Sequence, residues 1–374
     1  MSGWTLTLLI LAAVLPSWLI SWVAVGWIRH AAQALGLLDK PGERKVHATP
    51  IPLGGGIGIW AGVVGTLAMA TVALWALDRN ADWASRLPGS ISQYLPGLLG
   101  KAAEIWMIVA CGTVLMILGL IDDRRGLPWW VRLGVEVLVA TFCVVWQGLQ
   151  LTAFIPVPWL TSGLSVLWIV AMINAFNMLD NMDGLSGGVA AISASLLACM
   201  LLSNPDPAGG PPQLFVAMML LVMVGAILGF LGHNWPPAKI FMGDAGSYFI
   251  GFWIAVATLL ATYAGYQGNT PHAVLAPLIV MAIPLYDMTS VIWIRLREGR
   301  SPFEADKRHF SHRLVDLGMT KTQAVLTIYL ATGTCAVGAL LLPRVDAWGG
   351  GLVLLSTLLV LGLVVMLESV RQRD

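Results

Sequence analysis

Four small groups of residues in this 374-residue chain have types and spacings suited to chemistry. Asp122 and Asp123 stand together in Gly-Leu-Ile-Asp-Asp-Arg-Arg, and Asn177, Asp180 and Asp183 follow at intervals of three. Asp244 sits in Phe-Met-Gly-Asp-Ala-Gly-Ser, and His309 and His312 lie in a segment rich in Arg and Lys. Spacing of i, i+3, i+6 at a helix end turns side chains broadly one way. Carboxylates gathered at one place repel one another unless a cation joins them. Hard oxygen donors without cysteine favour Mg2+, with Mn2+ as the alternative, and Mg2+ is the usual companion of phosphate substrates. Arg, Lys and His beside such a group hold phosphate oxygens or neutralise charge on a leaving phosphate. The pattern points to phosphoryl transfer.

Each group has an ordinary explanation when taken alone. An Asp-Asp pair at a helix end is commonly a solvated cap, and Asp244 between glycines fits a simple turn. His309 and His312 fit a polar surface. The run Gly54-Gly55-Gly56 serves either close helix packing or a phosphate-facing backbone. Cys111, Cys143, Cys199 and Cys335 are scattered through apolar runs without a CxxC pair, which argues against zinc or a disulfide framework. The case for function rests on where the four groups fall along the chain.

Hydrophobic residues make up 57% of the chain and charged residues 11%, with a mean hydropathy of +0.80. A soluble domain carries about a quarter charged residues, so most of this surface must face lipid. Apolar stretches long enough to cross about 30 Å of hydrocarbon lie near 4–28, 54–77, 102–121, 130–148, 160–178, 185–203, 213–232, 247–265, 274–294, 323–342 and 350–367. The expected fold is therefore an all-α integral membrane protein, a polytopic bundle of about eleven transmembrane helices. The first span lacks a basic leader and is followed by Arg29, so it reads as a retained helix with its N-terminus outside and the C-terminus cytoplasmic. On that topology all of the 21 Lys and Arg residues except Arg79, Arg86, Lys101 and Arg344 fall on the cytoplasmic side, as the positive-inside bias requires. All four polar groups fall on that side too. Ionisable residues this rare in a membrane chain mark a composite site by default. The outer connections are short, so residues 1–374 form one domain with its site on segments 36–53, 119–132, 174–188, 232–247 and 295–322. A net charge of +1 excludes a nucleic-acid binder that works through a basic surface.

At these residues the chain resembles the polyprenyl-phosphate N-acetylhexosamine-1-phosphate transferases. The resemblance runs from about residue 36 to 320 through five motifs in order. They are Asp39 to His47 with Pro50 to Gly56, Gly119 to Arg124, Asn177 to Gly184, His233 to Ser247, and Ser301 to Leu314. It implies transfer of N-acetylhexosamine 1-phosphate, expected to be N-acetylglucosamine 1-phosphate, from a UDP-sugar to polyprenyl phosphate with release of UMP. It also implies a plasma-membrane (inner-membrane) enzyme facing the cytoplasm, dependent on Mg2+, working at the first membrane step of envelope polysaccharide synthesis, with room for a homodimer.

The resemblance assigns roles residue by residue. Asp122, Asp123, His309 and His312 are the expected catalytic positions, with one of the paired aspartates as base towards the lipid phosphate. Asp183 and Asp244 are the expected metal positions. Lys45, His47, Asn177, Asp180, Asn234 and Phe241 are expected at the substrates, with Phe241 suited to stack on uracil. Two departures stand out: Asn181 follows Asp180 where the family usually has Gly, and Ser311 precedes His312 where it usually has a second His.

Three other readings compete. A phospho-N-acetylmuramoyl-pentapeptide-type transferase would share the motifs but not the Ser301-Pro302-Phe303 approach to His309. An intramembrane prenyltransferase would lack the Phe241 to Ser247 segment and the His309 loop. A transporter would place its charges near the bilayer midplane, on broken helices in two related halves.

Overall fold

Ten helices among the described residues are long and apolar enough to cross a membrane, and a bent pair makes an eleventh. The computed structural model describes residues 3–39, 50–80, 82, 85, 89–92, 95–151, 155–204, 206, 212–264, 270–304, 306 and 308–369. The helices in order are α1 (Gly3–Ala31), α2 (Gly55–Arg79), α3 (Ala102–Arg125), α4 (Trp129–Trp146) and α5 (Pro158–Leu179). Then come α6 (Leu185–Ser203), α7 (Leu214–Asn234), α8 (Gly243–Leu260), α9 (Ala276–Val280) and α10 (Ala282–Arg297). The short α11 (Phe310–Asp316) precedes α12 (Lys321–Ala339) and α13 (Ala347–Ser369). A two-residue antiparallel ribbon, β1 (Leu38–Asp39) with β2 (Ile51–Pro52), is the single sheet among the described residues.

The apolar stretches expected from hydropathy all appear as helices, with two informative differences. The ninth span bends by 63° between α9 and α10. A broken helix suits a transporter, but Asp122, Asp123, Asp180 and Asp244 all lie at helix ends. The second difference is that α3 runs on to Arg125 and α8 begins at Gly243, so the aspartates expected in loops belong to terminal turns of helices. Asp244 lies in the first turn of α8, where a carboxylate is favoured by the exposed amides.

Helix α8 occupies the centre, against α2, α3 and α5. Its Phe249, Phe252 and Trp253 are fully buried, whereas Leu15 and Leu19 of α1 and Leu359 and Leu363 of α13 are exposed, as lipid-facing side chains are. Small residues allow the central helices to touch. A Cβ on Gly56 would lie 2.1 Å from the Gly246 nitrogen, and one on Gly119 would lie 2.3 Å from the Asp244 carbonyl carbon. The amides of Gly55 and Gly56 donate to the carbonyls of Phe241 and Met242, at 2.9 and 3.0 Å. Of the two uses open to the glycine run, close packing is the one observed. That packing brings the ends of α2, α3 and α8 to one place.

Candidate active site

A cavity of about 590 Å3 opens where these ends meet. Asp39, Asp123, Asp180, Asp183, Asp244 and Asp306 line it together with His312 and Lys321, and Ile51, Leu53 and Phe241 add apolar surface. Of the expected residues it gathers Asp123, Asp180, Asp183, Asn234, Phe241, Asp244 and His312. Lys45 and His47 lie outside the described residues.

The adjacent aspartates part company. Asp123 lines the cavity, and its two oxygens accept the amides of Asp244 (2.9 Å) and Ala245 (3.3 Å) at the start of α8. Asp122 does not line the cavity. Its carboxylate accepts hydrogen bonds from the Leu127 amide, from Arg132 Nη1 at 2.8 Å and from the Tyr248 hydroxyl at 3.2 Å. A carboxylate so fully engaged is a brace between α3, α4 and α8 as much as a reacting group.

The acidic turn after α5 supplies Asp180 and Asp183. Burial first, then the charges of Asp123 and Asp183, push the Asp180 carboxyl up to about 7 against the pull of the Gly243 amide. Asp183 accepts the Ala238 amide at 3.0 Å. Asn177 donates through Nδ2 to Asp244 Oδ1 at 2.6 Å and to Ser247 Oγ at 3.1 Å, which fixes the direction of the Asp244 side chain. Asn234 accepts the Gly184 amide and donates to the Ile240 carbonyl, both at 2.8 Å, so its side chain holds two cavity turns together.

The two histidines also differ. His312 lines the cavity, while His309 is 7% exposed and stands behind it. His309 Nδ1 pairs with Asp287 Oδ2 at 2.9 Å, and Asp287 Oδ1 accepts the Phe310 amide at 2.6 Å. Asp287 is fully buried on α10. The motifs did not single it out, although an ionisable group inside an apolar span was signal enough. Further along, Arg295 Nε donates to Asp306 Oδ2 at 2.9 Å and Nη1 donates to the Pro302 carbonyl at 2.6 Å. Burial raises the Asp306 carboxyl, but the Arg295 hydrogen bond, the Arg308 amide and the Arg295 charge together hold it below the usual range. Lys321, at the first turn of α12, lines the cavity and was also not singled out by the motifs.

Among the described residues no three His, Cys, Asp or Glu side chains form a closed metal-ligand set. The donors around the cavity are instead spaced carboxylates without a soft ligand. Such a set fits a hard cation that keeps most of its shell as water and substrate oxygens, as Mg2+ does.

The chain is similar to several known proteins. The family model for glycosyl transferase family 4 matches residues 105–262. The chain is 32% identical to the decaprenyl-phosphate N-acetylglucosaminephosphotransferase of Mycobacterium tuberculosis (strain CDC 1551 / Oshkosh), over 95% of this chain and 88% of that one. It is 30% identical to a probable undecaprenyl-phosphate N-acetylglucosaminyl 1-phosphate transferase of Bacillus subtilis (strain 168), over 97% and 91%. Identity to the undecaprenyl-phosphate alpha-N-acetylglucosaminyl 1-phosphate transferase of Escherichia coli O157:H7 is 32%, over 82% and 77%.

Proposed function

The chain belongs to glycosyl transferase family 4, and we propose that it moves N-acetylglucosamine 1-phosphate from UDP-N-acetylglucosamine onto a polyprenyl phosphate, releasing UMP. The observation that carries this reading is a cavity that holds both a carboxylate cluster and the side chains of His312 and Lys321, at helix ends of a membrane bundle. An oxygen of the lipid phosphate attacks the sugar-proximal phosphorus. The bond from that phosphorus to the bridging oxygen breaks, and UMP leaves with the electron pair. The second ionisation of a phosphate monoester lies near pH 6, so the nucleophile is largely deprotonated before it arrives.

Asp183 and Asp244 are the residues that would hold Mg2+ or Mn2+, with Asp123 and Asp180 beside them and Asn177 setting the Asp244 rotamer. The ion would supply charge neutralisation on the diphosphate, the main requirement of phosphoryl transfer. His312 and Lys321 offer donors to the anionic oxygens. Phe241, fixed through its backbone to Pro52 and Gly55, offers its ring to the uracil. His309 acts through position, held at Nδ1 by the buried Asp287 carboxylate.

The basic residues Arg124, Arg125, Arg132, Lys239, Arg295 and Arg308 stand on segments at the site end, which supports a cytoplasm-facing site in the plasma membrane. The product then enters envelope polysaccharide synthesis at its first membrane step. The test is direct: purified protein, polyprenyl phosphate, Mg2+ and UDP-N-acetylglucosamine labelled in the sugar. Label should pass into the organic phase with equimolar UMP, and label that stays in water would sink the reading.

A further inference from the structure

The turn that carries Asp180 and Asp183 and the helix that carries His312 come from segments about 130 residues apart, and a part-buried hydrogen bond joins them. Ser311 is 1% exposed, and its Oγ donates to Asn181 Oδ1. Asn181 Nδ2 donates in turn to the Met178 carbonyl at 2.9 Å, which leaves Oδ1 as the end that faces Ser311. Asn181 itself lines the cavity between Asp180 and Asp183. The start of α11 is thus pinned from two sides, by Asp287 through His309 and Phe310, and by Asn181 through Ser311. His312 is the next residue.

We propose that Asn181 and Ser311 are a coupled positioning pair, whose hydrogen bond fixes the distance between His312 and the acidic turn. They are also the two departures from the family pattern noted in the sequence, and in the structure they are in contact. A pattern with glycine at 181 and histidine at 311 puts its side-chain atoms on the second residue; this chain divides them between both. Glycine alone at 181 would leave the buried Ser311 hydroxyl without its acceptor, which is costly. Histidine alone at 311 would have to enter space that Asn181 fills, and overpacked cores are strained. Both together restore the balance. The role assigned to His312 rests on the proposed function; the coupling of the pair does not.

The experiment is a double-mutant cycle on the full chain in detergent, with Asn181→Gly, Ser311→His and the double variant, plus Ser311→Ala and Ser311→Thr. Turnover of UDP-N-acetylglucosamine and thermal unfolding are read on each. The double variant should exceed both single variants in kcat, with a coupling of about tenfold, within the range found for contacting residues. Ser311→Ala should lower kcat about tenfold with little change in the nucleotide-sugar KM, and Ser311→Thr, which keeps the hydroxyl, should recover most of it. Losses that multiply independently, or a Ser311→Ala variant with unchanged kcat, overturn the proposal. Absence of wild-type turnover fails the functional reading alone; the pair is then judged on Tm, where shifts of the single variants that simply sum in the double overturn it.

Discussion

The carboxylate of Asp123, in the last turn of α3, accepts the backbone amide of Asp244, in the first turn of α8, at 2.9 Å. One acidic cavity residue therefore fixes the backbone that presents another. Its neighbour Asp122 is turned to Arg132, whose side chain is 28% exposed. Asp122→Asn should reduce thermal stability by several degrees, because it leaves that guanidinium without its carboxylate. The loss should fall below the roughly 3–5 kcal/mol of a fully buried pair, since Arg132 reaches solvent. Asp123→Asn should instead lower kcat by about a hundredfold or more with a smaller change in Tm. Unfolding curves and turnover for the two variants check this, and the opposite outcome would exchange the roles of the two aspartates.

Chelation tests the cation. Activity should vanish with EDTA and return with Mg2+ or Mn2+, because spaced carboxylates without soft ligands need a hard divalent ion. At saturating Mg2+, Asp244→Asn should cost more turnover than Asp122→Asn, because only the former removes a carboxylate from the cavity. Full activity after exhaustive chelation would remove the metal from the mechanism.

Acid should loosen the histidine loop through Asp306. Its carboxyl titrates below the ordinary range in the folded chain, so its contribution to stability is complete above the unfolded value and is lost as pH falls through the folded one. Wild-type Tm should therefore drop on going from pH 6 to pH 3, and Asp306→Asn should flatten that part of the curve while starting lower. A variant that keeps the full acid slope would place the titration elsewhere.

Helix contact at the centre should tolerate no added atom. Gly56→Ala puts a methyl group 2.1 Å from the Gly246 nitrogen, where neither backbone can retreat cheaply. A loss of about 1–3 kcal/mol or more is expected, read as Tm or as folded yield. Gly134→Ala on α4 meets nothing within 4 Å and should be neutral or stabilising by up to about 1 kcal/mol. Equal behaviour of the two would mean that α2 and α8 do not meet as described.

Orientation can be read from single cysteines in a background with the exposed Cys199 replaced by Ser. Arg344→Cys should react with an impermeant maleimide in intact cells, and Arg308→Cys only after permeabilisation. The two residues lie beyond opposite ends of α12, so labelling of both from outside would break the proposed topology.

The spans were legible in the sequence because hydropathy over some twenty residues is a local property, and so was the chemical type of the site. The family motifs named Asp180, Asp183, Asp244 and His312, all of which line one cavity. Spacing could not separate Asp122 from Asp123. Successive residues on a helix point about 100° apart, and which of them meets the cavity depends on how α3 is rotated against α8. Nor could it show that Asp287 holds His309, or that Asn181 and Ser311, each an isolated departure in the sequence, touch one another. Those facts arise from contacts between residues 22 and 130 positions apart, set by glycines that let helix backbones meet and by buried polar atoms that must find partners.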